Sequence, residues 1–239
     1  MVSVVMPTLD EAELLPGALS HIKANPAPHE ILVVDGGSGD GTVKLAEAGG
    51  ARISHSPQRQ RAFQMNLGAR RARGEIFLFL HADTWIGPNA LGQIEEALGD
   101  PTVVGGGFAR RFQSRSFILR FTCVIGGWRS RWLGWFYGDQ GIFVRRTIFE
   151  RLGGFRDIPI FEDVDFSRRM AQAGHVVTLR SNVVSSARRF ASRGAFLTTA
   201  SDVWLTLRYL AGADPGSLAS GQRQSRRVSP GDSGRSPRA

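Results

Sequence analysis

The sequence is poor in cysteine and in long hydrophobic runs, and both shortages narrow what the chain can be. Its 239 residues include one cysteine, Cys123, so no disulfide can form within the chain. Arg120 and Arg129 interrupt the longest apolar stretch, and Asp202 and Arg208 interrupt the next, so neither reaches the span of a bilayer. The first residues lack the basic start and the long apolar core of a signal peptide. We therefore expect a protein of a reducing, cytoplasmic setting, soluble or peripheral to the membrane.

Lysine is also scarce, and the excess of arginine is unevenly placed. The chain carries 30 basic and 21 acidic side chains, a formal net charge of +9, yet lysine is present only at Lys23 and Lys44. About four of the excess charges lie in 220–239, a stretch rich in serine, glycine and proline. We therefore predict one folded domain over 1–213, a disordered basic tail over 214–239, and no nucleic-acid partner.

The hydrophobic residues, 42% of the chain, alternate between short strand patterns and helical patterns. Apolar runs at 2–6, 30–34 and 51–55 are each followed by a helical pattern, and 76–80 is a fourth, continuous run. This alternation is typical of an α/β fold with a doubly wound parallel sheet whose two faces are covered by helices. Further strand patterns follow at 103–112, 142–144, 175–179 and 183–186.

Polar residues begin where these strands end. His81 and Asp83 follow 76–80, and Asp35 follows 30–34. In open α/β sheets ligands bind outside the carboxyl ends of the strands, so we expect these side chains to face a crevice. A carboxylate in that place suits a hard divalent cation that holds a diphosphate. The alternative is a strand that ends in a turn, with Asp83 capping the next segment.

Two predicted helices begin with polar side chains. In the first, 59–73, Arg61 and Gln64 are placed to point toward phosphates or a base, although an ordinary solvated face also explains them. The second begins with Glu162 and Asp163. Acids are favoured there by the helix dipole, and a carboxylate at the mouth of a helix can also face a crevice and act as a general base.

Aromatic residues and arginines alternate from Phe117 to Tyr137. Three interpretations fit this pattern: a surface that meets a membrane, a wall that stacks on sugars, or a buried cluster with arginine heads at the surface. The stretch is broken by Gly126, Gly127 and Gly134, and no helix is predicted across it. A final amphipathic helix is predicted over 195–210.

Four short motifs, taken together and in order, resemble family 2 glycosyltransferases of the A-type fold. They are Pro7-Thr8-Leu9-Asp10-Glu11, Val34-Asp35-Gly36-Gly37-Ser38-Gly39-Asp40-Gly41-Thr42, Leu80-His81-Ala82-Asp83-Thr84 and the Glu162-Asp163 pair. The resemblance extends from Val2 to about Ala213, and 60–69 with the Leu-His-Ala-Asp-Thr motif further resembles a bacterial subgroup of small, stand-alone enzymes. It implies a single-domain nucleotide-diphospho-sugar transferase fold, with a mostly parallel central sheet flanked by helices.

The resemblance also implies which residues bind the donor: Thr8, Glu11, Asp35, Arg61, Gln64 and Asp83. Thr8 and Glu11 would lie beside the base, Asp35 would hold the uracil or ribose, and Arg61 would approach the base or the diphosphate. Asp83 matches the last aspartate of the family's Asp-X-Asp motif, which binds Mg²⁺ or Mn²⁺ on the donor diphosphate. His81 stands where the first aspartate of that motif would be, and imidazole suits Mn²⁺ better than Mg²⁺. A divalent cation, Mn²⁺ or Mg²⁺, is therefore expected at Asp83 and His81.

On the acceptor side, Asp163 matches the family's catalytic base, and Glu162 stands beside it. Acceptor or phosphate contacts are expected at Asp139, Gln140, Arg188 and Arg189. The family's later Gln-X-X-Arg-Trp motif is absent from the sequence. The arginines at 188, 189 and 193 would replace its phosphate contact, and the loss of the motif argues against a processive polymerase.

The resemblance thus implies inverting transfer of a hexosyl group from a nucleotide-diphosphate sugar, with UDP-sugars favoured, to the hydroxyl of an unidentified acceptor. An alternative acceptor is a membrane lipid, such as a polyprenyl phosphate or a carotenoid acid, reached at the inner face of the membrane through Phe117 to Tyr137. A nucleotidyltransferase is disfavoured because the turn after the first strand is acidic and has no glycine before Gly17. A non-catalytic protein that binds lipids or polyanions is the remaining class, and it would not bind nucleoside diphosphates.

Overall fold

The structure, a computed structural model, describes residues 1–114, 116–186, 190 and 194–227. Within these residues the strands form a single eight-stranded sheet. The strands are β1 (Val2–Thr8), β2 (His29–Asp35), β3 (Arg52–His55), β4 (Ile76–Phe79), β5 (Thr84–Trp85), β6 (Val103–Phe112), β7 (Ile142–Arg145) and β8 (His175–Ser185). Their order across the sheet is β3-β2-β1-β4-β7-β6-β8-β5.

Helices cover both faces of this sheet. They are α1 (Leu15–Lys23), α2 (Thr42–Ala48), α3 (Arg61–Arg71), α4 (Ala90–Ala97), α5 (Phe117–Leu133), α6 (Arg146–Arg151), α7 (Glu162–Ala173), α8 (Ala195–Leu210) and α9 (Pro215–Arg227), and a short 3₁₀ turn spans Gly138–Gln140. Two hydrophobic clusters fill the space between helices and sheet, one on each face. The predicted α/β fold with a mostly parallel, helix-flanked sheet is confirmed.

The first four strands in the order run parallel, so their carboxyl ends meet at one edge of the sheet. Thr8 is in register with Asp35, and Asp35 with His55. Helix α3 packs closely over β1 because Gly68 has no side chain: a Cβ at that position would lie 2.3 Å from Val5 Cγ1. This edge therefore carries the ends of β2 and β4, the two strands that the sequence predicts to precede polar residues, and the end of β1 between them.

The second half of the sheet is less regular than a doubly wound parallel sheet. Strand β7 pairs antiparallel with both β4 and β6, and β5 pairs antiparallel with β8. The two predicted strands 175–179 and 183–186 form the single strand β8, which is parallel to β6. The pairing is close at Gly106, where a Cβ would lie 2.0 Å from Val177 O, so a larger residue would separate the strands.

The broken aromatic stretch forms a helix. Helix α5 runs through Gly126 and Gly127 without interruption, although two adjacent glycines weaken a helix. Gly126 is buried, and a Cβ there would lie at an ordinary contact distance of 3.7 Å from Arg110 Nη2, so the position has room for a methyl group.

The predicted tail is helical over 215–227, where helix α9 forms, and 228–239 lie outside the described residues. Two local features explain this difference from the predicted disorder. Asp214 Oδ2 accepts a hydrogen bond from Ser217 N–H, as an N-cap residue does, and Pro215 stands at the first helical position. Leu218 and Ala219 are buried, so the first turns of α9 have an apolar contact with the fold.

No helix among the described residues is both long enough and apolar enough to cross a membrane.

Candidate active site

A cleft of about 230 Å³ opens at the edge where β1 and β4 end. It is lined by Pro7, Thr8, Leu9, Glu11, Arg59, Arg61, Gln64, His81, Ala82 and Asp83. Six of the residues predicted from the sequence are in this set, namely Thr8, Glu11, Arg61, Gln64, His81 and Asp83. A second depression, of about 200 Å³ and lined partly by Phe77 and Phe149, holds none of the predicted residues.

The end of β1 is fixed by a buried amide. Gln64 Nε2 donates hydrogen bonds to Thr8 O at 2.9 Å and to Val34 O at 2.7 Å. The side chain therefore ties α3 to the ends of both β1 and β2. Gln64 lines the cleft and has a structural role through these hydrogen bonds, and its predicted contact with the donor stays a prediction.

Asp35, at the end of β2, is buried and holds the turn that follows it. Its carboxylate accepts hydrogen bonds from Gly37 N–H at 2.8 Å, from Ser38 N–H at 2.9 Å and from Ser38 Oγ at 2.5 Å. Burial alone raises the pKa of Asp35, but these hydrogen bonds outweigh it, so the pKa lies below its ordinary value. Asp35 is therefore a carboxylate in a rigid turn, next to the cleft wall at Thr8.

Two exposed arginines form one side of the cleft. Arg61 is the first residue of α3, and Arg59 lies just before it, with Nη2 3.3 Å from Gly37 O. Arg61 was predicted from the sequence, whereas Arg59 was not. A second basic residue two positions before a predicted phosphate ligand was the available signal. Together the two guanidinium groups make this side of the cleft suitable for an anion.

His81 and Asp83 line the same cleft and lie in the turn after β4. Among the described residues, the only side-chain hydrogen bond to the Asp83 carboxylate comes from Thr84 Oγ1 at 3.3 Å. The pKa of His81 is lowered, first by burial and then by the nearby charge of Arg61, against the opposing effect of Asp83, Asp163 and Asp139. A lowered pKa leaves the imidazole neutral at physiological pH, which is the form that binds metals.

These two side chains fit a divalent cation held jointly with a substrate. The described residues contain no group of three or more metal-binding side chains of the types His, Cys, Asp and Glu. Cations such as Mg²⁺ are commonly held by one or two carboxylates together with substrate phosphates and waters, rather than by a protein cage. One carboxylate and one neutral imidazole beside an arginine-lined cleft match that arrangement.

Gly138 contacts both His81 and Asp163. Its N–H donates a hydrogen bond to Asp163 Oδ2 at 2.6 Å. A Cβ at position 138 would lie 2.6 Å from His81 Nε2 and 3.4 Å from Asp163 Oδ2, so the imidazole and the carboxylate both pack against the bare glycine. The sequence did not indicate this contact, because the three residues are far apart in the chain.

Asp163 and Glu162, at the start of α7, have altered acidities. Burial raises the pKa of Asp163, although hydrogen bonds from Gly138 N–H and Val164 N–H oppose the rise. Burial and the neighbouring Asp163 raise the pKa of Glu162 from 4.5 to about 7. A carboxylate whose pKa approaches physiological pH is suited to general base catalysis.

The residue before this pair has an uncommon backbone. Phe161 is one of two non-glycine residues in the described chain with a positive φ, at 67°, and it forms the N-terminal cap position of α7. Its ring stacks on Tyr209 of α8, with 4.7 Å between the ring centroids. Residues held in this region cost of order 1–3 kcal/mol and occur preferentially at functional sites.

The side chains of Asp139 and Gln140 form hydrogen bonds with other residues of the protein. Asp139 Oδ2 accepts a hydrogen bond from Arg110 Nη1 at 2.5 Å. Gln140 is buried: its Oε1 accepts from Arg129 Nη2 at 2.6 Å, and its Nε2 donates to Phe108 O at 3.1 Å. The amide of Gln140 therefore supports the 3₁₀ turn that carries Gly138, while the predicted acceptor contact at Asp139 stays a prediction.

The third acid of α7 has a structural role. Asp165 is largely buried and forms ion pairs with Arg169 at 2.8 Å and with Arg156 at 3.0 Å.

The predicted phosphate contacts Arg188 and Arg189, and the arginine at 193, lie outside the described residues.

A mostly parallel sheet, with carboxylates and arginines around a cleft at its carboxyl edge, is the architecture of A-type glycosyltransferases. The sequence profile described as Glycosyl transferase family 2 matches residues 3–156. The chain belongs to this family and is a glycosyltransferase, as its sequence predicts.

Curated relatives include a PGL/p-HBAD biosynthesis glycosyltransferase of Mycobacterium tuberculosis. It is 28% identical over 203 residues, which cover 77% of this chain and 75% of the relative. An uncharacterized glycosyltransferase of the same organism is 34% identical over 171 residues, covering 63% of this chain and 60% of the relative.

Solved structures with the same fold include a mannosyltransferase from Pyrobaculum calidifontis in complex with GDP-Man and Mn²⁺. The TM-score is 0.64 and the identity 26%, over 77% of this chain and 56% of that chain. TarS of S. aureus in complex with UDP has a TM-score of 0.65 and 16% identity, over 77% of this chain and 60% of that chain, and shares the fold.

Proposed function

We propose that the protein transfers a sugar from a nucleoside diphosphate to the hydroxyl of an acceptor in one inverting, cation-dependent step. The observation that carries the proposal is the meeting of His81 and Asp163 at Gly138. At this point a cleft that suits a diphosphate adjoins the Asp163 carboxylate. The pKa of that carboxylate is raised, which suits a general base.

The donor occupies the cleft at the ends of β1 and β4. Thr8 and Glu11 contact the base, Asp35 supports the base or ribose from the neighbouring turn, and Arg59 and Arg61 bind the diphosphate. We expect UDP-sugars, although the P. calidifontis structure holds GDP-Man, so both nucleotides belong in the first assay. Support for the phosphate side comes from the two exposed guanidinium groups in the cleft wall.

Asp83 and His81 would hold the divalent cation, Mn²⁺ or Mg²⁺, at the donor diphosphate. When bound, such an ion neutralises the negative charge that develops on the departing diphosphate. The Mn²⁺ in the P. calidifontis complex and the neutral imidazole of His81 support this proposal. Arg61, close enough to His81 to lower its pKa, adds positive charge on the same side.

Asp163 acts as the general base. One of its carboxylate oxygens accepts the acceptor's hydroxyl proton while the acceptor oxygen forms a bond to the anomeric carbon. The bond from that carbon to the diphosphate oxygen breaks in the same step, and the electron pair leaves with the nucleoside diphosphate. Because attack and departure occur on opposite faces of the carbon, the configuration inverts. Gly138 N–H holds Asp163 in place for this transfer.

The acceptor hydroxyl belongs to a membrane lipid, reached at the inner, cytoplasmic face of the membrane. Exposed aromatic side chains on α5, including Phe117 and Trp132, support a lipid acceptor over a soluble one. The competing function is a protein that binds lipids or polyanions without catalysis.

Calorimetric titration tests the donor site. UDP, GDP and their sugar conjugates are titrated with Mn²⁺, Mg²⁺ or EDTA into wild type, Asp83→Ala and Asp100→Asn. We expect cation-dependent binding of one nucleotide, which is lost in Asp83→Ala and unchanged in Asp100→Asn. Asp100 serves as the control because its carboxylate is exposed and lies at the opposite edge of the sheet. Absence of binding under every condition would favour the non-catalytic function.

Hydrolysis or transfer of the bound donor tests the base. Removing a general base lowers turnover by between about 10² and 10⁴. Asp163→Asn should show that loss while binding the nucleotide as wild type does. Turnover within about tenfold of wild type would show that Asp163 is not the base.

A further inference from the structure

Helix α5 presents a continuous apolar stripe to solvent. Its outward positions hold Phe117, Phe121, Val124, Ile125, Trp128 and Trp132. The two end members, Phe117 and Trp132, are each 79% exposed. Spacings of three and four residues place these side chains on one side of the helix, over a length of about 25 Å. Large apolar side chains exposed in such a row are uncommon on the surface of a soluble protein.

Helix α8 carries a second stripe and packs against α5. Phe196, Leu197, Val203, Trp204 and Leu207 face outward, and Trp204 is 56% exposed. The sequence predicts an amphipathic helix here, and an ordinary surface helix would turn its apolar side inward. We call the outward apolar residues of α5 and α8 together the two-helix face.

Both helices place most of their large apolar side chains outward. The inward side of α8 holds Leu205 and Thr198, which are both buried. The buried positions of α5 include Leu119, Gly126 and Ser130. Each helix therefore buries a leucine beside small or polar residues and turns a larger apolar surface outward, which indicates an apolar surrounding for the two-helix face.

The charges around the face are basic. Residues 117–133 contain three arginines and no acid. Of these, Arg120 and Arg131 are exposed beside the aromatic side chains, as is Arg208 on α8. Arginine beside tryptophan suits the boundary between lipid chains and headgroups, since the stem lies along apolar groups while the charge reaches phosphate.

We propose that the two-helix face docks the enzyme onto a bilayer that contains anionic lipids. A second copy of the chain is a poorer occupant, because a two-fold contact would bring the arginines of α5 against each other with no acid on that helix. Anionic headgroups instead complement Arg120, Arg131 and Arg208. The face lies in the interface plane, since neither helix can span the membrane.

The docked face is connected to the proposed base. Arg129 of α5 binds Gln140 in the turn that carries Gly138, and Tyr209 of α8 stacks on Phe161, next to Glu162. Both membrane-facing helices therefore touch the elements that hold Asp163. If the proposed function is correct, an acceptor embedded in the bilayer reaches the site from this side. Docking itself needs no nucleotide.

Vesicle sedimentation with the full chain, without nucleotide, tests the proposal. Wild type should bind vesicles of phosphatidylcholine with 30% phosphatidylglycerol, and bind phosphatidylcholine alone at least tenfold more weakly. Each basic residue near an anionic surface contributes roughly fivefold in binding, so Arg120→Glu/Arg131→Glu should lose about 30-fold or more. The matched control, Arg71→Glu/Arg73→Glu, removes two exposed arginines elsewhere and should lose far less.

Apolar variants test the contact itself. Trp128→Ser/Trp132→Ser should lower vesicle binding by roughly 100-fold, and Trp204→Ser/Leu207→Ser by at least tenfold, because buried apolar area sets the affinity. Leu45→Ser, an exposed leucine on α2, is the control and should bind as wild type does. Circular dichroism and thermal melting verify that each variant folds.

Three results would overturn the proposal: no binding by wild type, equal binding by wild type and the two-helix variants, or equal binding to neutral and anionic vesicles. Sedimentation velocity without lipid provides a further check. A wild-type dimer that Trp128→Ser/Trp132→Ser converts to monomer would assign the face to a second copy and also refute membrane docking. Because nucleotide is absent throughout, these outcomes are independent of the donor and base assignments.

Discussion

Replacing Glu162 by glutamine should make the protein more stable at alkaline pH and change its stability little at acidic pH. Glu162 is 6% exposed, and burial together with Asp163 raises its pKa from 4.5 to about 7. The folded protein therefore holds the proton of Glu162 more tightly than the unfolded chain does. The contribution of Glu162 to stability is fully present below pH 4.5 and is lost as the pH rises to about 7.

The magnitude follows from the size of the pKa change. A pKa change of one corresponds to about 1.4 kcal/mol in the free energy of unfolding. The rise from 4.5 to about 7 therefore corresponds to about 3 kcal/mol. Glutamine has nearly the same shape and does not ionise. Relative to wild type, Glu162→Gln should thus gain about 3 kcal/mol in free energy of unfolding between pH 4.5 and pH 8.

Urea unfolding at several pH values, followed by circular dichroism, measures this difference. The surface substitution Glu47→Gln serves as the control, and its difference from wild type should stay constant across the range. If the difference between Glu162→Gln and wild type is also constant from pH 4.5 to pH 8, Glu162 is not a buried acid with a raised pKa. The electrostatic account of the start of α7 would then be wrong.

Three further substitutions probe the site and its support. Gly138→Ala places a Cβ 2.6 Å from His81 Nε2 and should abolish cation-dependent nucleotide binding in calorimetry, whereas Gly127→Ala meets open space and should bind as wild type does. Asp165→Asn leaves Arg169, whose side chain is 16% exposed, without its counter-charge and should cost about 3 kcal/mol in urea unfolding, and a loss under about 1 kcal/mol would refute this contribution of the ion pair. Gln64→Leu removes donors from two buried carbonyls and should cost about 2 kcal/mol, visible as a lower melting temperature.

The cleft could be predicted from the sequence because its signals are local. Each strand is a short apolar run, and Thr8, His81 and Asp83 stand where such runs end, so parallel pairing alone brings them to one edge. Arg61 was predictable in the same way, from its place at the start of a helix. In the structure these residues line the cleft, and their roles in donor and cation binding stay predictions.

Contacts between distant segments could not be predicted in this way. The approach of Gly138 to both His81 and Asp163 depends on strand β7 running antiparallel beside β4. A strand pattern carries no information about direction, so the position of the turn before β7 stayed undetermined. The pairing of Asp139 with Arg110 was hidden for the same reason.

The sequence predicted that α8 is amphipathic but not which side faces outward. A periodic pattern of apolar residues shows that a helix has two different sides, and the usual inference assigns the apolar one to the core. Here the neighbouring α5, broken by two glycines, was not predicted as a helix at all. Only the packed structure shows that the buried side of α8 is the one with Thr198 and Leu205, while most of its large apolar side chains face outward.

The left-handed backbone of Phe161 has a consequence for the timing of catalysis. A conformation that costs of order 1–3 kcal/mol persists only where the surrounding packing determines it, here the stack on Tyr209 and the start of α7. The carboxylates of Glu162 and Asp163 are therefore oriented during folding, before any acceptor arrives. If Asp163 is the base, as we propose, folding bears the cost of arranging it, and the proton transfer itself requires little reorganisation.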